Sequence, residues 1–485
     1  MSFVSFTFLI FLIFSLSKIE SKDKLVFVMT HFRHGARAPQ YYYDQENYLD
    51  YIKERWEIPG ELTAVGERMH YALGIRNRLR YVEDEKFLSK KFDPHEILIY
   101  SSPFNRTIIS VSSQLQGLYP QYANLGDNIT ENQTDISKPQ VNVDDERIKN
   151  ELDKLNLSAL PHSMMLAPVR MINNNERKIT LYDIEPCTKK RDEIKKKHSE
   201  TLESLINLNK TFNEKYGQIL NNFYETKIEK YDMWFMDNFC DAFISGYTHK
   251  RTMANLNKTG LDFEELSDFC FEFQKLNFRD WLSGDKEHVL AHLEVSKLMG
   301  EFIHYMDERI KADINGERDL EKKYEDYSRP KMMMVSGHDS TISCYEIFLM
   351  HAFDINILEN YKYPKFAAQI AFEVTTSDDD NKNKTENDYF INYYFNDELI
   401  FKKSVKEFKD KIIPHIWDND KINKFCGFES DKDDDDNIKE ILIIVFISTT
   451  VVFLISTVFL IIKLKKSKNT DNKVYGNSLL SKSTE

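Results

Sequence analysis

VMTHFRHGARAP, residues 28–39 of this 485-residue chain, places His34 between two arginines directly after an apolar run typical of a β-strand. Arginine guanidinium groups match phosphate oxygens bidentately and stay charged at any working pH. A neutral imidazole can attack phosphorus and carry the phosphoryl group as a covalent intermediate. Gly35 allows the backbone to approach an anion closely. The stretch therefore predicts a phosphate site, with His34 as nucleophile between Arg33 and Arg37.

Two distant segments add chemistry of the same kind. Residues 336–341, SGHDST, follow an apolar run and contain His338 and Asp339, whereas residues 100–107, YSSPFNRT, supply Arg106. Catalytic loops in α/β proteins lie at the carboxyl ends of strands. Since each segment follows a strand-like run, we expect their side chains to meet in one crevice.

The pattern of apolar runs predicts an α/β fold. Strand-like runs occur at residues 25–29, 97–101, 332–336, 366–374 and 389–395. Stretches with helical spacing, 63–79 and 106–118, follow the first two runs. We therefore predict a central, mostly parallel sheet flanked by helices.

The combination of Arg-His-Gly-x-Arg-x-Pro with the later His-Asp pair resembles the histidine acid phosphatase family, the second branch of the histidine phosphatases. The resemblance spans about residues 24–430 and includes the Leu-Thr-x-x-Gly segment at 62–66. It implies that His34 forms a phosphohistidine which water hydrolyses, and that Asp339 protonates the leaving alkoxide and then helps to activate the water. Four residues would bind the phosphate: Arg33, Arg37, Arg106 and His338.

This mechanism predicts hydrolysis of small-molecule phosphate monoesters with an acid pH optimum, because a proton on Asp339 favours turnover. It needs no cofactor and no metal, and no Cys/His or Asp/Glu/His spacing in the sequence suggests a metal site. The histidines at 70, 95, 162, 249 and 288 are interpreted as structural or surface residues.

Two alternatives stay open. Ala36 stands where some family members carry an aspartate, and this keeps a phytase, an inositol polyphosphate phosphatase or a lysophosphatidate phosphatase in consideration. Inositol polyphosphates would require extra cations in the cap, for which Lys189, Lys190 and Arg191 are candidates. The alternative from another class is a receptor or adhesion ectodomain that keeps the fold without activity. The intact set of His34, Arg33, Arg37 and Asp339 argues against it.

Amino-acid composition divides the chain into core segments and an insertion. We predict phosphatase core at 22–127 and 330–430, interrupted by a helical cap insertion at 128–329 that is rich in long, charged, helix-favouring segments. The acidic tract at 377–388 is interpreted as a solvated hairpin loop.

Two apolar segments predict a type I membrane protein. Residues 1–21 have the short apolar run of a signal peptide, and residues 441–462 form an uncharged run long enough for a transmembrane helix. An acidic spacer, 431–440, precedes this run. The lysine-rich tail, 463–485, would be cytoplasmic by the positive-inside rule. The ectodomain is then expected in a lysosome or vacuole lumen or at the cell surface, and the net charge of −13 argues against a nucleic-acid partner.

Five cysteines in an oxidising compartment allow two disulfides. The family resemblance implies a Cys187–Cys426 bridge, and proximity in sequence pairs Cys240 with Cys270, which leaves Cys344 as a buried thiol. A homodimer stays open.

Seven Asn-x-Ser/Thr acceptors fit passage through the secretory pathway. We expect Asn105 to stay unmodified, because a glycan beside Arg106 would crowd the phosphate site. The acceptors are Asn105, Asn128, Asn132, Asn156, Asn209, Asn257 and Asn383.

Overall fold

The computed structural model of the protein describes residues 23–427, with gaps at 41–55, 57, 121–129, 132–136, 138, 140–142, 144, 162–163, 165, 173–188, 191, 195–202, 251–258, 284–287, 317–329 and 378–383. The predicted signal peptide (1–21), spacer (431–440), transmembrane helix (441–462) and tail (463–485) lie outside the described residues. Within the described ranges, no helix is long and apolar enough to cross a membrane.

One seven-stranded sheet organises the chain, in the order β3-β2-β4-β1-β5-β6-β7. Strands β1 to β4 pair with one another in parallel, and β5, β6 and β7 add antiparallel neighbours beside β1. The strands are β1 (Lys24–Arg33), β2 (Ile97–Ser101), β3 (Arg170–Met171), β4 (Met332–Gly337), β5 (Gln369–Thr376), β6 (Tyr389–Phe395) and β7 (Glu398–Ser404).

The prediction of a mostly parallel sheet is therefore wrong. The sheet is mixed, because β5, β6 and β7 are antiparallel to their neighbours. A parallel pair needs a crossover of a dozen or more residues, usually through a helix. Only residues 396–397 separate β6 from β7, so these strands can only form a hairpin. The β5–β6 connection, 377–388, contains no α-helix among its described residues, and these strands are antiparallel as well.

Helices pack on both faces of the sheet. They are α1 (Ala64–Arg78), α2 (Asn105–Leu118), α3 (Glu146–Asp153), α4 (Glu203–Tyr224), α5 (Met233–Thr248), α6 (Phe263–Ser283), α7 (Val289–Ile314), α8 (Asp339–Ala352), α9 (Ile357–Asn360), α10 (Val405–Ile412) and α11 (Asn419–Cys426). A π-helical turn, Leu79–Asp84, continues α1. Helix α11 lies in a separate compact unit, residues 419–485, and the other elements belong to residues 1–418.

The parallel strands β1, β2 and β4 are mostly apolar and almost entirely buried, because both faces of the sheet are covered. Val28 and Phe32 of β1 pack in a cluster with Leu115 of α2, whereas Phe27 and Met29 pack in a second cluster that includes residues of α7 and α8. Helix α7 falls within the range assigned to the cap insertion, yet it packs against β1. The boundaries of core and cap remain predictions.

Helices α4, α5 and α6 share a core of their own, rich in phenylalanine. A disulfide joins Cys240 of α5 to Cys270 of α6, with their Cα atoms 5.1 Å apart. Cys426 is also disulfide-bonded, and its predicted partner Cys187 lies outside the described residues. Cys344 is a buried thiol in α8.

Burial separates two of the predicted glycan acceptors. Asn209 is 5% exposed and its side-chain amide donates to the carbonyl of Tyr231 at 3.1 Å, whereas Asn156 is exposed. We expect the secreted protein to carry a glycan at Asn156 and none at Asn209, because a glycosylated amide could not occupy the site at Asn209. Asn156→Gln should remove the mass of one glycan on a gel and Asn209→Gln should remove none. Glycopeptide mapping that found a glycan on Asn209 in folded protein would contradict this.

Candidate active site

The carboxyl ends of β1, β2 and β4 lie side by side and bring the predicted residues together. Arg33 pairs with Gly337 and Ser101 with Ser336 in the sheet. Just beyond the strands, the His34 N–H donates to the Gly337 carbonyl at 3.0 Å. Helices α2 and α8 begin here, at residues 105 and 339, so two helix N-termini add their partial positive charge to this edge.

The loop after β1 packs against the start of α1 through two glycines. A Cβ added at Gly35 would lie 2.4 Å from the Gly66 carbonyl oxygen, and one at Gly66 would lie 2.2 Å from the Ala36 carbonyl oxygen. Both contacts are with backbone, so neither position has space for a side chain. The side chain of Thr63 caps α1 and also donates to the Ala36 carbonyl at 3.0 Å. These contacts fix the loop that presents His34.

His34 is buried and held as one tautomer. Its Nδ1 lies 2.9 Å from the Gly35 carbonyl oxygen, which can only accept, so Nδ1 carries the proton and Nε2 keeps the lone pair. Burial lowers the pKa of His34 well below its ordinary value, and the charges of Arg33, Arg106 and Arg37 lower it further. The ring therefore stays neutral, and nucleophilic at Nε2, in mildly acidic solution.

Three buried or mostly buried arginines surround this histidine, and two of them have carboxylate partners. An NH2 group of Arg33 lies 2.6 Å from Asp339, and the Arg33 guanidinium stacks 4.4 Å from the ring centre of Phe366. Both terminal nitrogens of Arg37 donate to Asp241, at 2.7 and 3.2 Å.

Arg106 lies over the ring of Phe104 at 4.6 Å, and burial together with the charge of Arg37 lowers its pKa to about 10. It therefore remains charged at neutral and acid pH. The Nε–H groups of Arg33, Arg37 and Arg106 are all buried and have no hydrogen-bond acceptor among the described residues. Buried donors of this kind are normally satisfied, and a bound oxyanion would supply acceptors.

His338 faces the same site. Its Nε2 lies 2.9 Å from the Ser102 hydroxyl, and its ring centre is 5.6 Å from that of His34. Burial lowers the pKa of His338 to about 3, with Arg106 adding to the effect. A neutral His338 can donate one hydrogen bond to a phosphate oxygen without adding a charge.

Asp339 is ionised before any substrate binds. Burial raises its pKa, but the charges of Arg33 and Arg37, followed by His338 and the Ser340 N–H, outweigh this and lower the pKa below its ordinary value. Its carboxylate also accepts from the Tyr363 hydroxyl at 3.2 Å. An anion that takes up part of the charge of Arg33 would therefore make Asp339 easier to protonate.

A cleft of about 150 Å³ opens beside Arg33, Arg37 and Asp339. Helices α5 and α6 form its opposite wall, with polar and acidic side chains from α5 and polar and aromatic side chains from α6. These lining residues are Asp237, Asn238 and Asp241 of α5 and Gln274, Asn277, Phe278 and Trp281 of α6.

Sequence reasoning missed residues that orient the site. Asp241 lies more than two hundred positions from Arg37, in an amphipathic helix where nothing marks it. His70 is buried in α1, and its Nε2 lies 3.1 Å from the Arg33 carbonyl oxygen. The other ring nitrogen lies 3.3 Å from Oε1 of Gln114, whose Nε2 has no acceptor among the described residues. A flipped Gln114 amide would donate to Nδ1 and let Nε2–H donate to Arg33.

Comparison with known proteins bears on the fold and on the family. Residues 24–396 match the family model described as histidine phosphatase superfamily (branch 2). Lysosomal acid phosphatase of Xenopus laevis is 24% identical over 400 residues, which cover 80% of this chain and 73% of that protein. Testicular acid phosphatase of Homo sapiens is 39% identical over 100 residues, 20% of this chain and 23% of that protein. The apo structure of Hafnia alvei phytase covers 84% of this chain and 99% of its own, with 10% identity and a TM-score of 0.51, and so shares the fold.

The buried His70 predicts a pH-dependent loss of stability. Burial lowers its pKa from 6.5 to about 4, despite the bonds to Gln114 and Arg33. Below pH 6.5 His70 of the unfolded chain binds a proton, whereas His70 of the folded protein stays neutral until about pH 4. The free energy of unfolding therefore falls as the pH drops from 6.5 to 4. The full loss is about 3 kcal/mol.

We expect His70→Gln to be less stable than the parent at pH 7 by about 1 kcal/mol, because a buried hydrogen bond is perturbed. It should also lose less stability than the parent between pH 7 and 4.5. Urea unfolding at both pH values measures this, with the exposed His304→Gln as control. Equal pH dependence in parent and His70→Gln would contradict the assignment.

Proposed function

Because this chain belongs to the histidine phosphatase superfamily (branch 2), we propose that it is an acid phosphatase that hydrolyses phosphate monoesters. The observation that carries the proposal is the neutral, oriented His34 beside three arginines whose buried Nε–H groups have no acceptor among the described residues. A phosphoryl group carries the acceptors that this arrangement needs.

In the proposed reaction, Nε2 of His34 attacks phosphorus in line as the bond to the ester oxygen breaks. The phosphoryl group passes to nitrogen, and the proton of the Asp339 carboxyl passes to the leaving alkoxide. Water then attacks the phosphohistidine while the Asp339 carboxylate takes its proton, which releases inorganic phosphate and neutral His34. Arg33, Arg37 and Arg106 stabilise the charge on the non-bridging oxygens.

An acid optimum follows from the Arg33–Asp339 pair. A bound phosphate competes with Asp339 for Arg33, and its own negative charge raises the pKa of the nearby carboxyl. Lower pH then increases the fraction of bound enzyme with a protonated general acid. His34 is not expected to limit the acid side of the profile, because burial and the arginines keep its pKa low.

The cleft favours substrates with a single phosphate over inositol polyphosphates. Its described lining includes the acidic residues Asp237 and Asp241 and no lysine. Of the three candidate cations, the exposed Lys189 and Lys190 are not part of this lining, and Arg191 lies outside the described residues. Arg33 and Arg37 are the cationic residues of the described lining and would hold one phosphate, so further phosphates would meet the negative charge of Asp237 and Asp241. The aromatic residues Phe278 and Trp281 instead provide an apolar surface for an aryl leaving group.

The location is part of the same proposal. We infer a signal peptide at 1–21 and a transmembrane helix at 441–462, with the catalytic region in a lysosome-like lumen or outside the cell. The Cys240–Cys270 disulfide supports an oxidising compartment. A lysosomal location is also supported by the name of one relative, the lysosomal acid phosphatase of Xenopus laevis.

Two variants separate nucleophile from general acid. His34→Ala should lose about 10³-fold or more of kcat on p-nitrophenyl phosphate at pH 5, because no phosphohistidine can form. Asp339→Asn should lose about 10-fold on this good leaving group and about 10³-fold on glycerol phosphate, whose alkoxide needs the proton. Initial rates of purified full-length protein measure both, with His304→Ala as control. Equal losses of Asp339→Asn on the two esters would remove Asp339 from the acid role.

Substrate choice tests the cleft. We expect kcat/KM for inositol hexakisphosphate to be about 100-fold or more below that for p-nitrophenyl phosphate, because of the acidic cap. Asn238→Lys, at the cleft wall, should reduce the difference in kcat/KM between these two substrates several-fold. The control Asn222→Lys, at an exposed position on α4, should leave it unchanged. A parent enzyme that prefers inositol hexakisphosphate would favour the phytase alternative.

A further inference from the structure

A cluster of histidines lies at the opposite end of α8 from the active site. His292 belongs to α7, His351 to the last turn of α8, and His415 to the 3₁₀ turn Ile413–His415. One potential ligand atom from each side chain lies within 4.8 Å of the other two. We propose that these three histidines bind a transition-metal ion, with Zn²⁺ as the expected occupant.

The tautomer of His292 is the one a ligand needs. Its Nδ1 lies 2.8 Å from the backbone carbonyl oxygen of His415, so Nδ1–H donates and Nε2 keeps its lone pair. Metal-binding histidines usually donate their other N–H to a carbonyl or a carboxylate in this way. Nε2 of His292 lies 3.0 Å from Nδ1 of His351, so the second ligand is already beside the first.

The distances between the histidine nitrogens lie on either side of the distance expected when a metal ion is bound. Zn–N bonds of about 2.0 to 2.1 Å in tetrahedral geometry put two ligand nitrogens about 3.4 Å apart. One separation here is 3.0 Å and the others are at most 4.8 Å, so rotation of the His351 and His415 rings would close the site. Both rings are partly exposed, which gives an ion access. The His288 ring, 4.5 Å from that of His351, or water would complete the coordination.

The three imidazole ligands determine which metal ions the site would bind. Three imidazoles without a thiolate suit Zn²⁺, Cu²⁺ or Ni²⁺ and not the oxygen-preferring Ca²⁺ or Mg²⁺. Helix α8 has 14 residues, so about 20 Å separates its two ends and the ion would not reach the reacting phosphate. Its effect is structural, because it would join α7, α8 and the turn that precedes residue 418. This site is therefore independent of the metal-free chemistry proposed for His34.

The competing explanation is ordinary aromatic packing together with a hydrogen bond between His292 and His351. The His292 ring lies 5.1 Å from that of Phe348 and stacks 6.2 Å from that of Trp417, so the cluster could exist without an ion. Metal binding separates these explanations, because packing alone does not respond to Zn²⁺.

The test uses the full-length His34→Ala protein at pH 7.5, so that the active-site nucleophile does not contribute a ligand. We expect one Zn²⁺ per chain after dialysis and a rise in Tm of about 5 °C in excess Zn²⁺. Co²⁺ should give the visible d–d absorption of a nitrogen-rich site. In this background, His351→Asn and His415→Asn should lose all three responses, and His304→Asn should keep them. His415→Asn leaves the carbonyl that orients His292 in place.

A measurement without these substitutions guards against variants that fail to fold. Bound Zn²⁺ should protect His351 and His415 of the His34→Ala protein from modification by diethyl pyrocarbonate, mapped by mass spectrometry, and leave His304 reactive. The proposal is overturned if that protein binds no Zn²⁺, or if His351 and His415 are modified equally with and without Zn²⁺. Equal binding by folded His351→Asn and the His34→Ala protein would also overturn it.

Discussion

The burial of three arginines around one neutral histidine is the constraint on which the rest of this structure depends. Each guanidinium carries a charge that is costly to take out of water. The protein offsets part of this cost with Asp339 on Arg33 and Asp241 on Arg37, and with the face of Phe104 under Arg106. What remains is an excess of cationic donors without acceptors among the described residues, in a chain whose net charge is −13. An anionic phosphoryl group is the ligand that this excess favours.

The backbone around these charges is fixed before a ligand binds. Gly35 and Gly66 bring the loop after β1 against α1, and the Gly35 N–H donates to the Ser110 hydroxyl at 3.1 Å. His70 bonds to the carbonyl of Arg33 from the same helix. Catalysis by electrostatic stabilisation depends on donors that need little reorganisation during the reaction, and these contacts supply that rigidity.

Helices α5 and α6 contribute side chains both to the arginine site and to the cleft beside it. Asp241 of α5 orients Arg37, while Asp237, Asn238 and the aromatic residues of α6 line the cleft. The Cys240–Cys270 disulfide links these two helices directly beside Asp241. A change in the packing of α5 and α6 would therefore alter both the charge that a substrate meets and the geometry of a phosphate ligand.

The sequence by itself determined the family and the strand ends, and it predicted the site residues that the structure brings together, because each depends on a contiguous motif that follows an apolar strand. His34 and Asp339 could be placed together since parallel strands bring their carboxyl ends to one edge. The same reasoning overestimated the parallel part of the sheet, because apolar runs do not show the direction of a strand, and β5, β6 and β7 are antiparallel to their neighbours. Asp241, the contact of His70 with Arg33 and the cluster of His292, His351 and His415 were decided only by the tertiary structure. Their partners are far apart in sequence and are joined by the packing of helices, which no local pattern of residues encodes.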